Sequence, residues 1–181
     1  MKREEALSLI KSKVKNVNLI KHMLATEAVM EVLAKNLGED ENLWGLAGLL
    51  HDVDYDQTVD EPHRHGLLGA EWLGELGVDI RIIQAVKSHP GHIPPQSKMD
   101  WALYAVDPLT GLIVASALMH PSRRLRGMDK GFVLKRFKEK RFAAGANREQ
   151  IKQCEKLGLS LNEFVDIALR AMRKVADEIG L

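Results

Sequence analysis

"LLHDVDYDQTVDEPHRHGLLGAEWL", residues 49–73, packs four Asp and three His into a chain that is otherwise ordinary. Its leucines lead straight into His51 and Asp52. Upstream, "ENLWGLAGLLHD" (41–52) is apolar nearly all round, the pattern of a central, buried helix. A His–Asp pair closing such a helix is either a polar terminus or a pair of ligands held by an apolar wall. "YDQTVDEPHR" then reads as a loop punctuated by Pro62. A further helix is expected from about His63 to Leu76, ended by Gly77.

Working outward, residues 3–14 carry Ala6, Leu7, Leu9 and Ile10 on a short amphipathic helix. Residues 18–37 repeat Leu19, Met23, Val29, Val32 and Leu33 at helical spacing, with Gly38 as the expected cap. Asp40 is placed to start the buried helix and Asp79 to cap "IRIIQAVKSH". "PGHIPPQS" is a loop. Residues 98–119 form a long apolar helix in which Pro108 calls for a kink or a break. "HPSRRLRGMDKG" reads as a basic connector. Helical patterns follow near 130–142, 147–157 and 161–178, the last capped by Ser160 or Asn162. Alternating β-branched stretches are nearly absent. The expectation is an all-α, single-domain bundle of about eight or nine helices over residues 1–181.

The composition bounds the function. The 181 residues are 45% hydrophobic and 28% charged with a formal net charge of +1, which gives no global reason to expect nucleic acid as a partner. The N-terminus lacks a long apolar segment and a cleavage site, and the apolar stretches read as interrupted short of a membrane span. The single Cys154 cannot form an internal disulfide, so a reducing cytoplasm is the expected location and a packed thiol its expected role.

The histidines fall on faces that helices bury. His22 lies on the stripe of Ala25, Val29 and Val32; His65 shares a face with Leu68, Trp72 and Leu76; His89 continues Ile82 and Val86. Asp107 sits in "WALYAVDPLTGLIVA", apolar on both sides. Singly, each histidine fits a core residue with one hydrogen bond, Asp107 before Pro108 fits a helix start, and Asp52 fits a satisfied polar terminus. Together they are costly, because a buried ionisable group loses several kcal/mol (roughly) unless paired or bound to metal. One divalent cation would compensate several at once. Imidazole with carboxylate suits zinc, iron, manganese or cobalt, and a mixed nitrogen and oxygen set leaves room for water, as catalytic sites do.

His22, then "HD" at 51–52, then Asp107, on successive helices, resembles the HD-domain superfamily of metal-dependent phosphohydrolases over roughly residues 20–120. "KHMLATEAVMEVLA", "LLHDVDYD", "HRHGLLGAEWL" and "YAVDPLTGLIVA" look especially like the small stand-alone HDIG-type hydrolases, in which a basic helical tail similar to 121–181 follows a metal-site core, here about 18–120. The resemblance implies one or two divalent ions (Mn, Fe, Co, Zn or Mg). His22, His51, Asp52 and Asp107 would be ligands of the first, and Asp52 would bridge to a second held by His65 and His89. His63 and His92 are the neighbours that could substitute. "HPGHIPPQ" has neither the adjacent histidine pair nor the Gly-Tyr-Pro signature of the branch that hydrolyses cyclic di-GMP, which argues against that substrate.

Such a site, with Asp52 and His51 as its catalytic pair, is expected to make hydroxide available near neutral pH for in-line attack on phosphorus. Cations nearby would neutralise phosphoryl charge, and Arg123, Arg124 and Lys87 are the candidates, with Arg126 behind them. Glu27, Asp54 and Asp56 are possible proton handlers or supporting groups, although Glu27 points well away from His22 on a regular helix. The leading expectation is hydrolysis of a nucleotide or related small phosphate ester, without a membrane and with a homodimer open. The alternatives are a non-catalytic metal- or nucleotide-binding regulatory module and, third, nucleic-acid binding by 123–141, where nine Lys or Arg face Asp129 and Glu139. In that segment Phe132 and Phe137 are the only interleaved aromatics, and their helical context points to core contacts first.

Overall fold

The computed structural model describes residues 1–181 and is all helical. In chain order it contains α1 (Arg3–Lys13), α2 (Val17–Leu37), α3 (Glu41–Leu50), α4 (Tyr55–Thr58), α5 (Leu67–Glu75), α6 (Ile80–Ser88), α7 (Lys98–Met119), α8 (Lys130–Lys138), α9 (Arg148–Lys152), α10 (Leu161–Lys174) and α11 (Ala176–Ile179). Short 3-10 turns lie at Pro62–Arg64, Leu125–Gly127 and Gln153–Leu157. Setting aside the single turns α4 and α11, nine α-helices remain, as the sequence led us to expect.

The starts follow the polar residues that can accept an end N–H. Asp40 accepts from Leu43, Asp79 from Arg81, and Ser97 and Ser160 each close a capping box. Gly38 ends α2 in the left-handed conformation, φ 71°. One apolar cluster runs through the molecule, from Ile10 and Met23 through Leu50, Leu73 and Leu103 to Phe137, Phe164 and Met172. α2 and α7 are its centre: α2 packs on α3, α7 and α10, and α7 also packs on α6, α8 and α9.

The contact between α2 and α3 is backbone on backbone. A Cβ at Gly48 would lie 2.9 Å from the Glu27 N and Cα atoms and from the Thr26 carbonyl carbon. At Gly45 the neighbour is the Glu31 side chain. Two glycines on one face of α3 therefore let its axis come close to α2, which brings His51 and Asp52 beside His22.

Three expectations need correction. The helix proposed for His63–Leu76 begins at Leu67; His65 itself is extended (φ −58°, ψ 135°) and Gly66 is left-handed (φ 77°), a position where a Cβ would also stand 2.7 Å from the Val86 carbonyl oxygen. His65 therefore does not ride on the face of Leu68 and Trp72. Pro108 does not break α7, which runs unbroken from Lys98 to Met119; the buried neighbours Ala105, Val106, Leu109 and Leu112 hold it in the core through the missing N–H. That helix, unbroken, is also long and apolar enough to cross a membrane by length and composition, although 56% of its most apolar window is buried inside this fold. Finally, the pattern over 130–142 ends at Lys138, and residues 139–147 form a loop.

Candidate metal centre

α2 presents His22, the end of α3 presents His51 and Asp52, the segment before α5 presents His65, the end of α6 presents His89, and the middle of α7 presents Asp107. Their ligand atoms converge. His22 Nε2 lies 3.1 Å from His51 Nε2 and 3.1 Å from Asp107 Oδ1. His65 Nε2 lies 3.1 Å from His89 Nε2. Asp52 stands between the two pairs and divides its carboxylate. Its Oδ2 faces His51 (3.3 Å) and His22 (3.7 Å), and its Oδ1 faces His65 (3.2 Å) and His89 (3.4 Å).

The other ring nitrogen of each histidine is already committed. His51 Nδ1 donates to the Gly48 carbonyl at 2.8 Å and His89 Nδ1 to the Val86 carbonyl at 2.6 Å. His65 Nδ1 donates to Asp54 at 2.9 Å. Thr110 Oγ1 donates to the Asp107 carbonyl, which leaves it to accept from His22 Nδ1 at 3.0 Å. These partners assign all four rings to the tautomer with its proton on Nδ1. Four Nε2 lone pairs then face one another and carboxylate oxygens at 3.1–3.8 Å. Acceptors crowded in this way require protons or cations between them, so the donor set fits a divalent metal. Two overlapping groups meet the geometry of a cation site: His22, His51 and Asp107, and His51, Asp52 and His89. With imidazole and carboxylate donors and no thiolate, the set suits Zn, Fe, Mn or Co.

Protonation tells the same story. Burial alone would lower the His51 pKa, but the charge and hydrogen bond of Asp52, with Asp107 behind, hold it at about 9. At His65 burial is likewise outweighed, here by Asp52 and Asp54, and the ring is held at about 10. His89, fully buried beside His51 and His65, is pushed down. Asp52 is held well below the carboxylate range: burial works against this, and His51 with the other rings overrides it. Asp107 is also lowered, with His22 and His51 overriding its burial.

Asp107 is thus a mid-helix carboxylate aimed at the cluster, and the helix-start reading of Asp107–Pro108 does not hold. His63 and His92 stay outside; both are exposed, and His92 instead bonds the Pro62 carbonyl. Glu27 is buried on another face of α2, paired with Arg3 at 2.6 and 2.9 Å. Asp56 accepts from the Lys15 amide. Asp54, one of three supporting groups the sequence offers, has a double role. It orients His65 and also accepts from the Gly66 and Gly69 amides at 2.8 Å each, so a carboxylate twelve residues upstream caps α5. Thr110 is the supporting residue the sequence reading misses; its signal is a hydroxyl one turn after Asp107, on the same helix face.

The basic candidates are not brought to the cluster. Arg123 and Arg124 are exposed beyond the end of α7, whose axis alone runs about 18 Å from Asp107 to Met119. Lys87 is half-buried and does not line the opening. That opening, about 320 Å³, is bounded by His22, Asp107, Pro108 and Gly111 on one side and by Ala143, Gly145 and Ala146 of the 139–147 loop on the other. Arg148 holds the loop in place: its guanidinium donates to the carbonyls of Ala143 (2.7 Å), Ala146 (2.6 Å), Phe142, Phe137 and Glu139. The expected core roles of the two phenylalanines are seen, Phe137 being buried and Phe132 partly so against the core.

The HD domain profile matches residues 19–120, the stretch that carries the whole cluster. The chain is 27% identical over 165 residues to the ribonuclease Y of a Sulfurovum strain, an alignment covering 90% of this chain and 32% of that protein. With the ribonuclease Y of Oleidesulfovibrio alaskensis it shares 32% identity over 96 residues, 52% of this chain and 18% of that one. The chain thus spans a third or less of the ribonuclease Y proteins it matches. An uncharacterized protein of Methanocaldococcus jannaschii is 29% identical over 174 residues and is matched along 99% of its length. No solved structure matches. The match over more than half of the chain, on the segment whose helices converge four histidines and two aspartates, shows that this protein belongs to the HD domain family.

Proposed function

We propose that the protein is a metal-dependent phosphohydrolase acting on a nucleotide or a related small phosphate ester. The observation that carries this reading is the divided carboxylate of Asp52, one oxygen toward His22 and His51 and the other toward His65 and His89. In it, His22, His51, Asp52 and Asp107 hold one divalent cation, and Asp52, His65 and His89 hold a second where two are bound. Such an ion, bound here, supplies a Lewis acid that lowers the pKa of its water and offsets phosphoryl charge.

The rest is done by the chain. Asp52 and His51 are the catalytic pair because their positions set where the reacting water can sit. The Gly48 and Val86 carbonyls, Asp54 and Thr110 hold every Nε2 inward, so no ring has to turn to take up its task, and His51 and His65 give up only the Nε2 proton that a cation would replace. Leu50, Val53, Val86 and Val106, all buried, keep solvent from the inner side. Residues 1–181 act as one unit in this reading, with the metal-site core at about 18–120 and the extension 121–181 supplying the loop that walls the opening. A reducing cytoplasm is the setting proposed for it. A second reading, cleavage of RNA, is favoured by the name of the ribonuclease Y relatives and by the nine cations of 123–141.

The test is elemental analysis of the purified protein together with a hydrolysis panel of nucleotides, small phosphate esters and an RNA oligomer. One or two metal ions per chain are expected, with nucleotide turnover lost by about a hundredfold or more in Asp52→Ala. Tight nucleotide binding without turnover would instead favour a regulatory module. A protein that takes up no metal would sink both.

A further inference from the structure

The opening over the metal centre is the middle of a longer groove. On one side it shares His22 and Gly111 with a cavity of about 420 Å³ between α2, α7 and residues 179–181, whose walls include Asn18, Lys21, Val114 and Leu118. On the other side it shares Gly145 and Ala146 with a cavity of about 630 Å³ carrying Lys138, Lys140 and Lys152. The two ends differ in chemistry. The first is an apolar slot with an amide and an ammonium at its edge, and Leu118 is 48% exposed there. In the second, Lys152 pairs with Glu149 at 2.8 Å and Arg148 is committed to loop carbonyls, but Lys138 and Lys140 make no ion pair. Anything held by a phosphate over Asp52 must therefore extend toward an apolar slot, a cationic trough, or both.

We infer that the groove binds a nucleotide with its base in the slot between α2 and α7, the hydrolysed phosphorus at the metal centre and a further phosphate on Lys138 and Lys140. A flat base with polar edges fits apolar walls rimmed by Asn18 and Lys21, and two unpaired ammonium groups complement a second phosphate. This rests on the phosphohydrolase reading and adds the residues that select a nucleotide carrying a further phosphate. Both a nucleoside diphosphate and a short oligonucleotide present a nucleoside on one side of a phosphorus and a further phosphate on the other.

Gly111 allows a clean test. It lies at the junction of slot and opening, is exposed, and a Cβ there meets no atom within 4 Å. Leucine favours helix over glycine, so Gly111→Leu narrows the passage without threatening the fold. Titration calorimetry of the manganese-loaded protein is run with inorganic phosphate, AMP, ADP and the 5′-phosphorylated dinucleotide pApA. AMP is expected to bind about tenfold or more tighter than phosphate, and ADP or pApA tighter again; whichever gains more identifies the source of the second phosphate. Gly111→Leu should erase the AMP gain with metal content unchanged, and Leu118→Gln, at a residue that lines the slot and not the opening, should cut the AMP gain and leave phosphate affinity unchanged. Lys138→Glu/Lys140→Glu should erase only the gain from the second phosphate. Equal affinity for AMP and phosphate in the wild type would overturn the inference, as would equal losses for both in Leu118→Gln. A wild-type dimer that becomes monomeric in Gly111→Leu with AMP binding intact would overturn it in favour of a second copy in the slot. A wild type that binds neither metal nor phosphate would instead remove the phosphohydrolase reading.

Discussion

Asp52 is the residue on which the centre turns, because each of its oxygens faces a different pair of rings. Its influence on His51 and His65 predicts how the protein behaves when stripped by a chelator. Both rings are raised above the ordinary histidine value near 6.5, to about 9 and about 10. A raised folded-state pKa contributes stability that is fully present below the unfolded value and is lost as pH rises through the folded one. The stripped protein should therefore lose melting temperature progressively from about pH 7 to pH 10. Metal-loaded protein, whose cations take the place of those protons, should lack this decline, and scanning calorimetry at several pH values compares the two. Equal slopes with and without metal would show that these rings are not the ligands. At this scale His22, His51, Asp52, His89 and Asp107 are legible in the sequence from residue type and helical context, whereas His65 is named there for a helix face on which it does not lie. Asp54 is named only as one of three possible supporting groups and Thr110 not at all, because their partners lie 11 and 88 residues away and only folding introduces them.

Among the elements, the decisive contact is α3 lying on α2 through Gly48. Gly48→Ala places a methyl group 2.9 Å from helix backbone, which cannot rotate aside as a side chain would. The helices must separate, at a cost of about 1–3 kcal/mol, and His51 and Asp52 move with α3 relative to His22. A lower denaturation midpoint with weakened metal retention is expected. Gly74→Ala is the control: it stands in α5 with nothing within 4 Å of the new Cβ and should gain up to about 1 kcal/mol from helix propensity alone. Element identities were readable from periodicity and caps, but boundaries were lost where tertiary contacts set them. α5 starts late because Asp54 supplies its cap from another segment, and α7 survives Pro108 because the core grips it on both sides.

For the whole molecule, one side chain beyond residue 120 holds the wall of the opening together. Arg148 ties the end of α8 to the 139–147 loop, which borders both the opening and the basic trough. Arg148→Met would leave several carbonyls without their donor and should cost about 1–3 kcal/mol, with faster proteolytic nicking between 139 and 147. Arg148→Lys should restore little, since a single ammonium cannot reach carbonyls spread around a planar fork. Metal content should survive both changes, because no ligand lies in the loop. The sequence could not announce this role. Arg148 looks like any charge at a helix start until the loop it gathers has folded around it.

The pins behind the four rings are of two kinds. His51 and His89 lean on main-chain carbonyls three residues back, groups that every amino acid carries. His22 and His65 lean on a hydroxyl and a carboxylate that one nucleotide change can remove. Inheritance therefore treats the two halves of the centre unequally. Drift at Val86 cannot unpin His89 while its helix persists, and a change at Gly48 keeps the carbonyl that holds His51 and acts only through the approach of α3 to α2, whereas lineages can retune His22 and His65 by altering Thr110 or Asp54 and keep every ligand in place.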